Sequence, residues 1–403
     1  MLPPSLVAPR TAGLSCSAIR EILKVVSRPG MVLLAGGIPA PESFPLNIIT
    51  ELTQRVLDKH QSAALQYDCT EGFAPLREVL TDFLLQRGVK AAEEQILIAS
   101  GSQGVLDAIG KVLIAPGDRV AFEAPTYLGA LQAFNPYGPR YVRLATDDDG
   151  LIPESLEQAL LQHSIKFVYL VPTFQNPTGR TLPEGRRKEI AGILQKYNAL
   201  LIEDDPYGAL RYRGRPVLPI HHWAPDHVLY ISTFSKILAP GLRVGFCVAP
   251  ELVRKWLIIV KQGVDLHTST FSQALAAEYL LGGYLDRHLP RICDLYRPRL
   301  KAMLDALERY FPKGFTWSRP EGGMFVWVRG WRHMDMETVY WAAVKRNTAF
   351  VPGKFFFAHP NEGLETMRLN FTMVDETAIH HAIQILAEVI TDMSPGASPE
   401  PSV

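Results

Sequence analysis

Cysteine is scarce in this chain of 403 residues, which contains only four. They form no CxxC pair and no histidine lies at ligand spacing from them, so neither a disulfide scaffold nor a zinc site is indicated, and we expect no metal. Widely spaced thiols suit the reducing cytoplasm. The four are Cys16, Cys69, Cys247 and Cys293.

An excess of charge is also missing, because 41 lysines and arginines balance 41 aspartates and glutamates. No overall field favours nucleic acid or an anionic membrane, so an anion has to be bound locally. No stretch approaches the ~20 apolar residues that cross a bilayer. The N-terminus, Met1-Leu2-Pro3-Pro4, lacks the basic and apolar regions of a secretory leader. We therefore expect a cytoplasmic protein.

What the chain does have is a regular alternation of short apolar runs and helical patterns. Seven runs rich in aliphatic or β-branched residues predict strands, and patterns such as Glu184–Tyr197 predict helices between most of them. This alternation is typical of an α/β fold whose mainly parallel sheet is covered on both faces. The runs are Gln95–Ala99, Arg119–Glu123, Arg140–Leu144, Phe167–Val171, Leu200–Glu203, Val228–Ser232 and Val244–Val248.

The most informative pattern is a series of polar motifs in a fixed order: Asn176-Pro177-Thr178-Gly179, Asp204-Asp205-Pro206-Tyr207, Thr233-Phe234-Ser235-Lys236 and Arg243. They offer a carboxylate for a ring nitrogen, an amide and a phenol for a ring oxygen, a lysine able to form a Schiff base, and an arginine with hydroxyls for a phosphate. Pyridoxal 5'-phosphate (PLP), whose protonated pyridine acts as an electron sink, needs this set.

The order and spacing of these motifs resemble the class I and II aminotransferases of the aspartate aminotransferase fold. The resemblance is closest to the subgroup acting on 2-aminoadipate and kynurenine, and it extends from Arg20 to Arg368. It implies PLP-dependent transferase fold type I, in which a large domain with a seven-stranded, mainly parallel sheet is joined to a smaller α+β domain. In such sheets ligands bind beyond the carboxyl ends of the strands.

We place the large PLP-binding domain at residues 46–285, because the pattern changes after residue 285. Residues 286–393 and, as the resemblance implies, an N-terminal arm of residues 1–45 form the predicted small domain. Residues 394–403, with three prolines and no apolar periodicity, predict a disordered tail. Three elements are predicted in the second part: a helix near His288–Tyr310, a strand at Met324–Val328 and a strand–helix pair around Arg368–Ile390.

Lys236 and Asp204 are the predicted catalytic centre, with Tyr207. A Schiff-base lysine must be neutral to attack an aldehyde, so it needs a desolvated pocket and a nearby positive charge, which Arg243 supplies. An anion beside the pyridine nitrogen keeps that nitrogen protonated. Asp205 competes with Asp204 for this role, but Tyr207 follows Asp204 at the spacing that the family uses for the phenol contacting the ring oxygen.

The other cofactor contacts follow from the resemblance. Asn176, which could simply be a turn residue, matches the asparagine that binds the ring oxygen, and Tyr127, in isolation more typical of a core, matches the residue that stacks on the ring. Small residues before a helix near Val105–Leu113 leave backbone N–H groups free for an anion. The predicted phosphate contacts are Ser102, Gln103, Thr233, Ser235 and Arg243, with Tyr67 reaching the partner's phosphate in a homodimer that shares its active sites.

Three residues are predicted to bind the substrate besides Asn176. Arg368 matches the arginine that grips the α-carboxylate with a bidentate fork, a geometry that lysine cannot copy. Gly37, in Gly36-Gly37-Ile38-Pro39, matches a segment lining the same pocket. Arg20 lies in a pattern that suits the solvent face of an amphipathic helix, yet the resemblance implies a mobile lid whose arginine meets a distal carboxylate.

We therefore expect an aminotransferase that works by ping-pong transfer between amino acids and 2-oxo acids such as 2-oxoglutarate. The preferred amino acids are 2-aminoadipate and glutamate, with aromatic or branched-chain ones also accepted. One alternative keeps the cofactor but catalyses β-elimination or decarboxylation. Another is a non-catalytic PLP-binding sensor domain, which we expect to need ~60 or more additional N-terminal residues for a second core, whereas the recognisable pattern starts near residue 15.

Overall fold

The computed structural model describes residues 6–8, 11, 30–359 and 361–393. Arg20 and the tail 394–403 lie outside the described residues. None of the helices in the described part is long and apolar enough to cross a membrane. These helices are α1 Leu46–His60, α2 Ala74–Leu85, α3 Ser102–Leu113, α4 Leu128–Phe134, α5 Pro153–Gln162, α6 Glu184–Tyr197, α7 Glu251–Asp265, α8 Thr270–Leu281, α9 Tyr284–Tyr310, α10 Met336–Lys345 and α11 Glu376–Asp392.

The strands form one large sheet, one smaller sheet and two short pairs. They are β1 Val32–Leu33, β2 Ile96–Ala99, β3 Arg119–Glu123, β4 Arg140–Leu144, β5 Thr146–Asp147, β6 Gly150–Leu151, β7 Ile165–Leu170, β8 Leu201–Asp204, β9 Val228–Thr233, β10 Gly245–Val248, β11 Thr316–Trp317, β12 Phe325–Arg329, β13 Thr348–Ala349, β14 Val351–Pro352 and β15 Thr366–Asn370.

The large sheet has seven strands in the order β2-β10-β9-β8-β7-β3-β4. Only β10 runs antiparallel to its neighbours, while the other neighbouring pairs are parallel. All seven predicted runs lie in this sheet, with ends within two residues of the prediction. The predicted α/β fold with a mainly parallel sheet is confirmed.

Alternate residues of the central strands pack on opposite faces of this sheet. In β8, Ile202 belongs to the same apolar cluster as Phe134 of α4, whereas Leu201 packs with Ile190 and Leu194 of α6. β8 is buried on both faces, and it begins with two apolar residues and ends with two buried acidic ones, Glu203 and Asp204. The Glu203 carboxylate is satisfied by the backbone N–H groups of Ile220 and His221, whereas Asp204 ends the strand.

The smaller sheet is antiparallel, in the order β11-β12-β15-β14, and beside it α11 packs against both α9 and α10. This is the α+β part that follows the large sheet. The proposed boundary between residues 285 and 286 lies near the start of α9, and the domain limits stay a prediction. A short parallel pair, β1 with β13, joins the segment before Gly37 to this part of the chain.

Candidate active site

Three polar residues that follow strands of the large sheet lie at one edge of it. Asp204 is the last residue of β8, Lys236 comes three residues after β9, and Asn176 follows β7. Since β7, β8 and β9 are parallel neighbours, their carboxyl ends lie side by side. This edge is where ligands bind in open α/β sheets.

The Asp204 carboxylate is buried and only half satisfied. Its Oδ2 accepts a hydrogen bond from the Tyr169 hydroxyl at 2.7 Å, while Oδ1 is buried with no partner among the described residues. Burial raises the pKa of Asp204 to about 7, against the opposing effect of the Tyr169 bond. A buried acceptor without a donor is unfavourable, so Oδ1 is suited to a ligand that brings a proton donor.

Asp205, the competing candidate, has both of its oxygens engaged within the protein. Its Oδ2 accepts from the Tyr230 hydroxyl at 2.8 Å, and its Oδ1 accepts from the backbone N–H of Gly208 at 2.9 Å. Burial raises the pKa of this carboxyl too. Only Asp204 keeps an oxygen available, and this difference supports the choice of Asp204 made from the spacing to Tyr207.

Lys236 is partly buried beside two arginines. Its Nζ donates to the backbone oxygen of Gly37 at 2.8 Å. Its pKa is lowered to about 8, first by burial, then by the charge of Arg368 and then by that of Arg243. The sequence pointed to Arg243 alone, whereas the structure adds Arg368 as the stronger of the two charges.

Arg368 is a fully buried cation without a carboxylate partner among the described residues. Its Nη1 donates to Asn176 Oδ1 and its Nη2 to the backbone oxygen of Ala35, both at 2.8 Å. The guanidinium lies 4.2 Å from the ring centre of Phe325 and 4.9 Å from that of Phe356, and burial lowers its pKa to about 10. A buried charge held only by neutral groups is suited to an incoming carboxylate.

Asn176 connects this arginine to the phenol of Tyr207. Its Nδ2 donates to the Tyr207 hydroxyl at 3.3 Å, so the two contacts of the amide fix its orientation. Burial raises the pKa of Tyr207 and raises that of Tyr127 to about 12. Both phenols therefore keep their protons near neutral pH and can donate hydrogen bonds.

The start of α3 faces Arg243 across a narrow gap. Gly101, with a φ of 79°, precedes the first helical residue, Ser102, and a Cβ at Gly101 would lie 2.5 Å from Arg243 Nη2. The backbone angle favours glycine there, and any larger residue would also have to displace the end of the Arg243 side chain. The free N–H groups of a helix start and a guanidinium together make a site for an anion.

Two of the predicted phosphate donors are engaged elsewhere. The side-chain amide of Gln103 donates to the backbone oxygen of Gly129 at 2.7 Å, which ties α3 to the segment after Tyr127. The hydroxyl of Thr233 lies 3.1 Å from the backbone oxygen of Val244 and 2.9 Å from Ser235 Oγ. Of the predicted phosphate contacts, the side chains left for an anion are then Arg243, Ser235 and Ser102, and the last of these opens the helix itself.

The remaining predicted residues lie in different places. Gly37 is at the site, since its carbonyl contacts Lys236 and a Cβ on it would lie 3.2 Å from Phe325 Cζ. Tyr67 exposes 77% of its surface, with its ring packed edge-on against His267.

Comparison with known proteins agrees with this geometry. The profile of the class I and II aminotransferases matches residues 29–386. The chain is 48% identical to aromatic-amino-acid aminotransferase 1 of Thermococcus litoralis, covering 95% of this chain and 93% of that one, and 40% identical to 2-aminoadipate transaminase of Thermus thermophilus, covering 94% of each. The solved kynurenine aminotransferase of Pyrococcus horikoshii superposes with a TM-score of 0.92 at 44% identity, covering 96% of this chain and 97% of that one.

The chain belongs to the class I and II aminotransferases. It is an aminotransferase of fold type I, and its cofactor is PLP. The residues present fit such a group, because the site combines an unpartnered buried carboxylate oxygen, a lysine of lowered pKa and an arginine beside a helix start.

Several contacts of this aminotransferase site had no signal in the sequence. Tyr169 supports Asp204 from 35 positions away, and the Ala35 carbonyl meets Arg368 across 333 positions. The sequence gives no sign that Phe325 and Phe356 are more than core residues. Both are buried in the core, and their rings also contact the Arg368 guanidinium. Contacts between residues this far apart in the chain depend on how the strands and loops of the two sheets come together in the fold.

Proposed function

We propose that this aminotransferase moves the amino group of 2-aminoadipate or glutamate, and of aromatic or branched-chain amino acids, to a 2-oxo acid such as 2-oxoglutarate in a ping-pong sequence. The observation that carries the proposal is the buried Arg368 guanidinium without a carboxylate partner among the described residues. The names of the Thermococcus and Thermus relatives, one aromatic and one for 2-aminoadipate, support a broad range of side chains.

Arg368 binds the α-carboxylate of the amino acid in this proposal. Its two terminal nitrogens form parallel donors, and Asn176 and the Ala35 carbonyl hold the fork in place. The apolar rings of Phe325 and Phe356 keep water away from the charge. Chemistry at Cα with the carboxylate retained follows from this grip, which favours transamination over decarboxylation.

Asp204 holds the proton on the ring nitrogen. When bound, the cofactor supplies an electron sink that stabilises negative charge at the substrate Cα. A protonated nitrogen next to Oδ1 would stabilise the Asp204 carboxylate, which burial alone disfavours. Asn176 and Tyr207 would meet the ring oxygen, and Tyr127 the ring face.

Lys236 moves the proton at the substrate Cα. With its pKa lowered to about 8, its amine is neutral often enough near neutral pH to act as a general base, and then as an acid when it returns the proton. Its hydrogen bond to the Gly37 carbonyl holds the free amine in the cleft. Arg243, Ser235 and the start of α3 bind the phosphate at the other end.

The working form in this proposal is a cytoplasmic homodimer with shared sites. Tyr67 is exposed in the single chain, as a residue serving a partner's site must be. Cys69, Cys247 and Cys293 are unpaired thiols, which suits a reducing compartment.

A screen of single half-reactions tests the function. The absorbance of the bound cofactor is followed as each amino acid is added without a 2-oxo acid, and we expect 2-aminoadipate and glutamate to convert it fastest. Lys236→Ala should bind PLP through the other contacts and show almost no conversion. Borohydride reduction followed by peptide mapping should label Lys236, and a label on another lysine would contradict the assignment.

A further inference from the structure

The loop before α3 is fastened to α7 by a side-chain hydrogen bond. Ser100 Oγ donates to Asp265 Oδ2 at 2.7 Å, and the backbone oxygen of Ser100 accepts from Arg243 Nη2 at 3.1 Å. Ser100 directly precedes Gly101 and the first turn of α3. This stretch is therefore held from two sides, by an aspartate and by the arginine proposed to bind the phosphate.

Asp265 makes this bond as a charged acceptor. Its other oxygen, Oδ1, accepts from Lys261 Nζ at 2.6 Å, and only 7% of the Lys261 side chain is exposed. Because the carboxylate can only accept, the single hydroxyl proton of Ser100 must point to it. Thr268 Oγ1 lies 3.5 Å from Ser100 Oγ, and in that pair Thr268 is left as the donor.

The backbone after Asp265 is strained. Leu266 has a φ of 57° and a ψ of −60°, in the region that favours glycine, and its side chain is 57% exposed, so little burial offsets the strain. Such conformations persist where the surrounding contacts over-determine the backbone. Here Asp265 is bonded to Ser100 on one side of Leu266, and Gln273 holds the backbone oxygen of Thr268 at 2.7 Å on the other.

We propose that Asp265 is a positioning residue for the phosphate end of the cofactor. Acting through Ser100, it holds the loop and the first turn of α3 opposite Arg243. The inference rests on the proposed phosphate site and on nothing further about the substrate. Lys261 neutralises the carboxylate, so the anchor adds no net negative charge near a site for an anion.

The test compares the dissociation constants of PLP and of pyridoxal, which lacks the phosphate, for Ser100→Ala and Asp265→Asn. Both variants should raise the dissociation constant of PLP by about tenfold, as the loss of one charge-assisted hydrogen bond predicts, and leave that of pyridoxal unchanged. The matched control is Asp305→Asn, since Asp305 pairs with Lys301 at the same i,i+4 spacing on the exposed side of α9. It should change neither constant.

The double variant Ser100→Ala with Asp265→Asn should be no weaker than either single variant, because both remove the same bond. If an unpaired Lys261 prevents folding of Asp265→Asn, the combination with Lys261→Met removes both charges, and the same loss is expected. Unchanged PLP affinity, additive effects or equal weakening of PLP and pyridoxal would each overturn the proposal. Arg243→Ala tests the phosphate site separately from Asp265. If the ratio of the dissociation constants of PLP and pyridoxal in this variant equals that of the wild type, Arg243 does not bind the phosphate and the proposed site is wrong.

Discussion

Two adjacent carboxylates at the end of β8 meet different surroundings. Asp205 is fully bonded to Tyr230 and Gly208, whereas Asp204 keeps one oxygen without a partner. Asp204→Asn should keep the fold and lose several orders of magnitude in the rate of the half-reaction, because a neutral amide cannot hold a proton on the ring nitrogen. Asp205→Asn should cost mainly stability, about 1–3 kcal/mol for a disturbed buried bond. Single-turnover rates of the two variants show which carboxylate matters more for the reaction. A larger loss in Asp205→Asn would make Asp205 the partner of the ring nitrogen.

From the raised pKa of Asp204 we expect the stability of the cofactor-free enzyme to depend on pH. Burial raises its pKa from 3.8 to about 7, so the folded state holds this proton more tightly than the unfolded state does. The resulting stabilisation is present in full below pH 3.8 and is lost as the pH rises through about 7.

Urea unfolding should therefore show a steeper fall in the free energy of unfolding between these pH values for the wild type than for Asp204→Asn. Glu123 and Glu203 are buried with pKa values raised to about 7 and contribute equally to both proteins, so only the difference reports on Asp204. Parallel curves would show that the Asp204 carboxyl is not shifted in this way.

Arg20 lies outside the described residues, and its role stays a prediction. If it meets a distal carboxylate, Arg20→Ala should lower kcat/KM for 2-aminoadipate and glutamate by about ten- to a hundredfold, the worth of a charge-assisted contact. Leucine and aromatic amino acids should be nearly unaffected, and Arg28→Ala is the matched control from the same segment. An equal loss for both classes of substrate, or no loss for either, would contradict the substrate contact and favour a solvent-exposed Arg20.

At the level of elements, one face of α9 anchors the segment that carries Gly37. The Tyr296 hydroxyl accepts from the backbone N–H of Ala40 at 2.9 Å, and His288 Nε2 lies 2.8 Å from the backbone oxygen of Ser43. Arg299 pairs with Glu42 at 3.1 Å. Three residues of one helix thus hold the chain whose carbonyl meets Lys236.

Tyr296→Phe should destabilise the enzyme by about 1–3 kcal/mol, because it leaves the buried amide of Ala40 without an acceptor. The KM for the amino acid should rise as well, since the segment lining the pocket loosens. Tyr310→Phe is the control, because Tyr310 lies on the same helix with its ring against His380. Urea unfolding and steady-state kinetics that match for the two variants would contradict the anchoring role.

The strands show what a sequence can and cannot predict. Runs such as Val228–Ser232 were recognisable because a strand buried on both faces is apolar throughout, and the observed β9 extends the run by one residue. The antiparallel direction of β10 was not visible, since apolar patterning carries no information about direction. Asp204 could be chosen by its spacing to Tyr207, but Asp265 could not be found, because its contact with Ser100 spans 165 positions.

For the molecule as a whole, α7 exposes apolar side chains, and we expect this surface to contact the second copy in the proposed homodimer. Leu252, Trp256, Ile259 and Val264 are exposed along it, while Val253 and Leu257 are buried beneath. A helix that is apolar on its outer side as well as on its inner side is typical of a contact surface. This supports the proposed homodimer, in which the exposed Tyr67 serves the partner's site.

Trp256→Glu should therefore convert the dimer to a monomer in sedimentation experiments and lower activity at assay concentration, because Tyr67 then has no neighbouring site to complete. Trp341→Glu is the matched control, as both tryptophans are 50% exposed and Trp341 lies on α10. A wild-type enzyme that sediments as a fully active monomer would contradict the proposed homodimer.

If Arg368 binds the substrate carboxylate as proposed, we expect this enzyme to distinguish amino acids from simple amines in the reaction step as well as in binding. When the amine of Lys236 is free, the charge of Arg368 is the strongest one lowering its pKa. A substrate carboxylate in the fork would cancel much of that charge and raise the proton affinity of the lysine. The substrate also brings an ammonium group that has to lose a proton. An amine without a carboxylate would leave the proton affinity of Lys236 unchanged. Discrimination against such an amine should therefore appear in kcat as well as in KM.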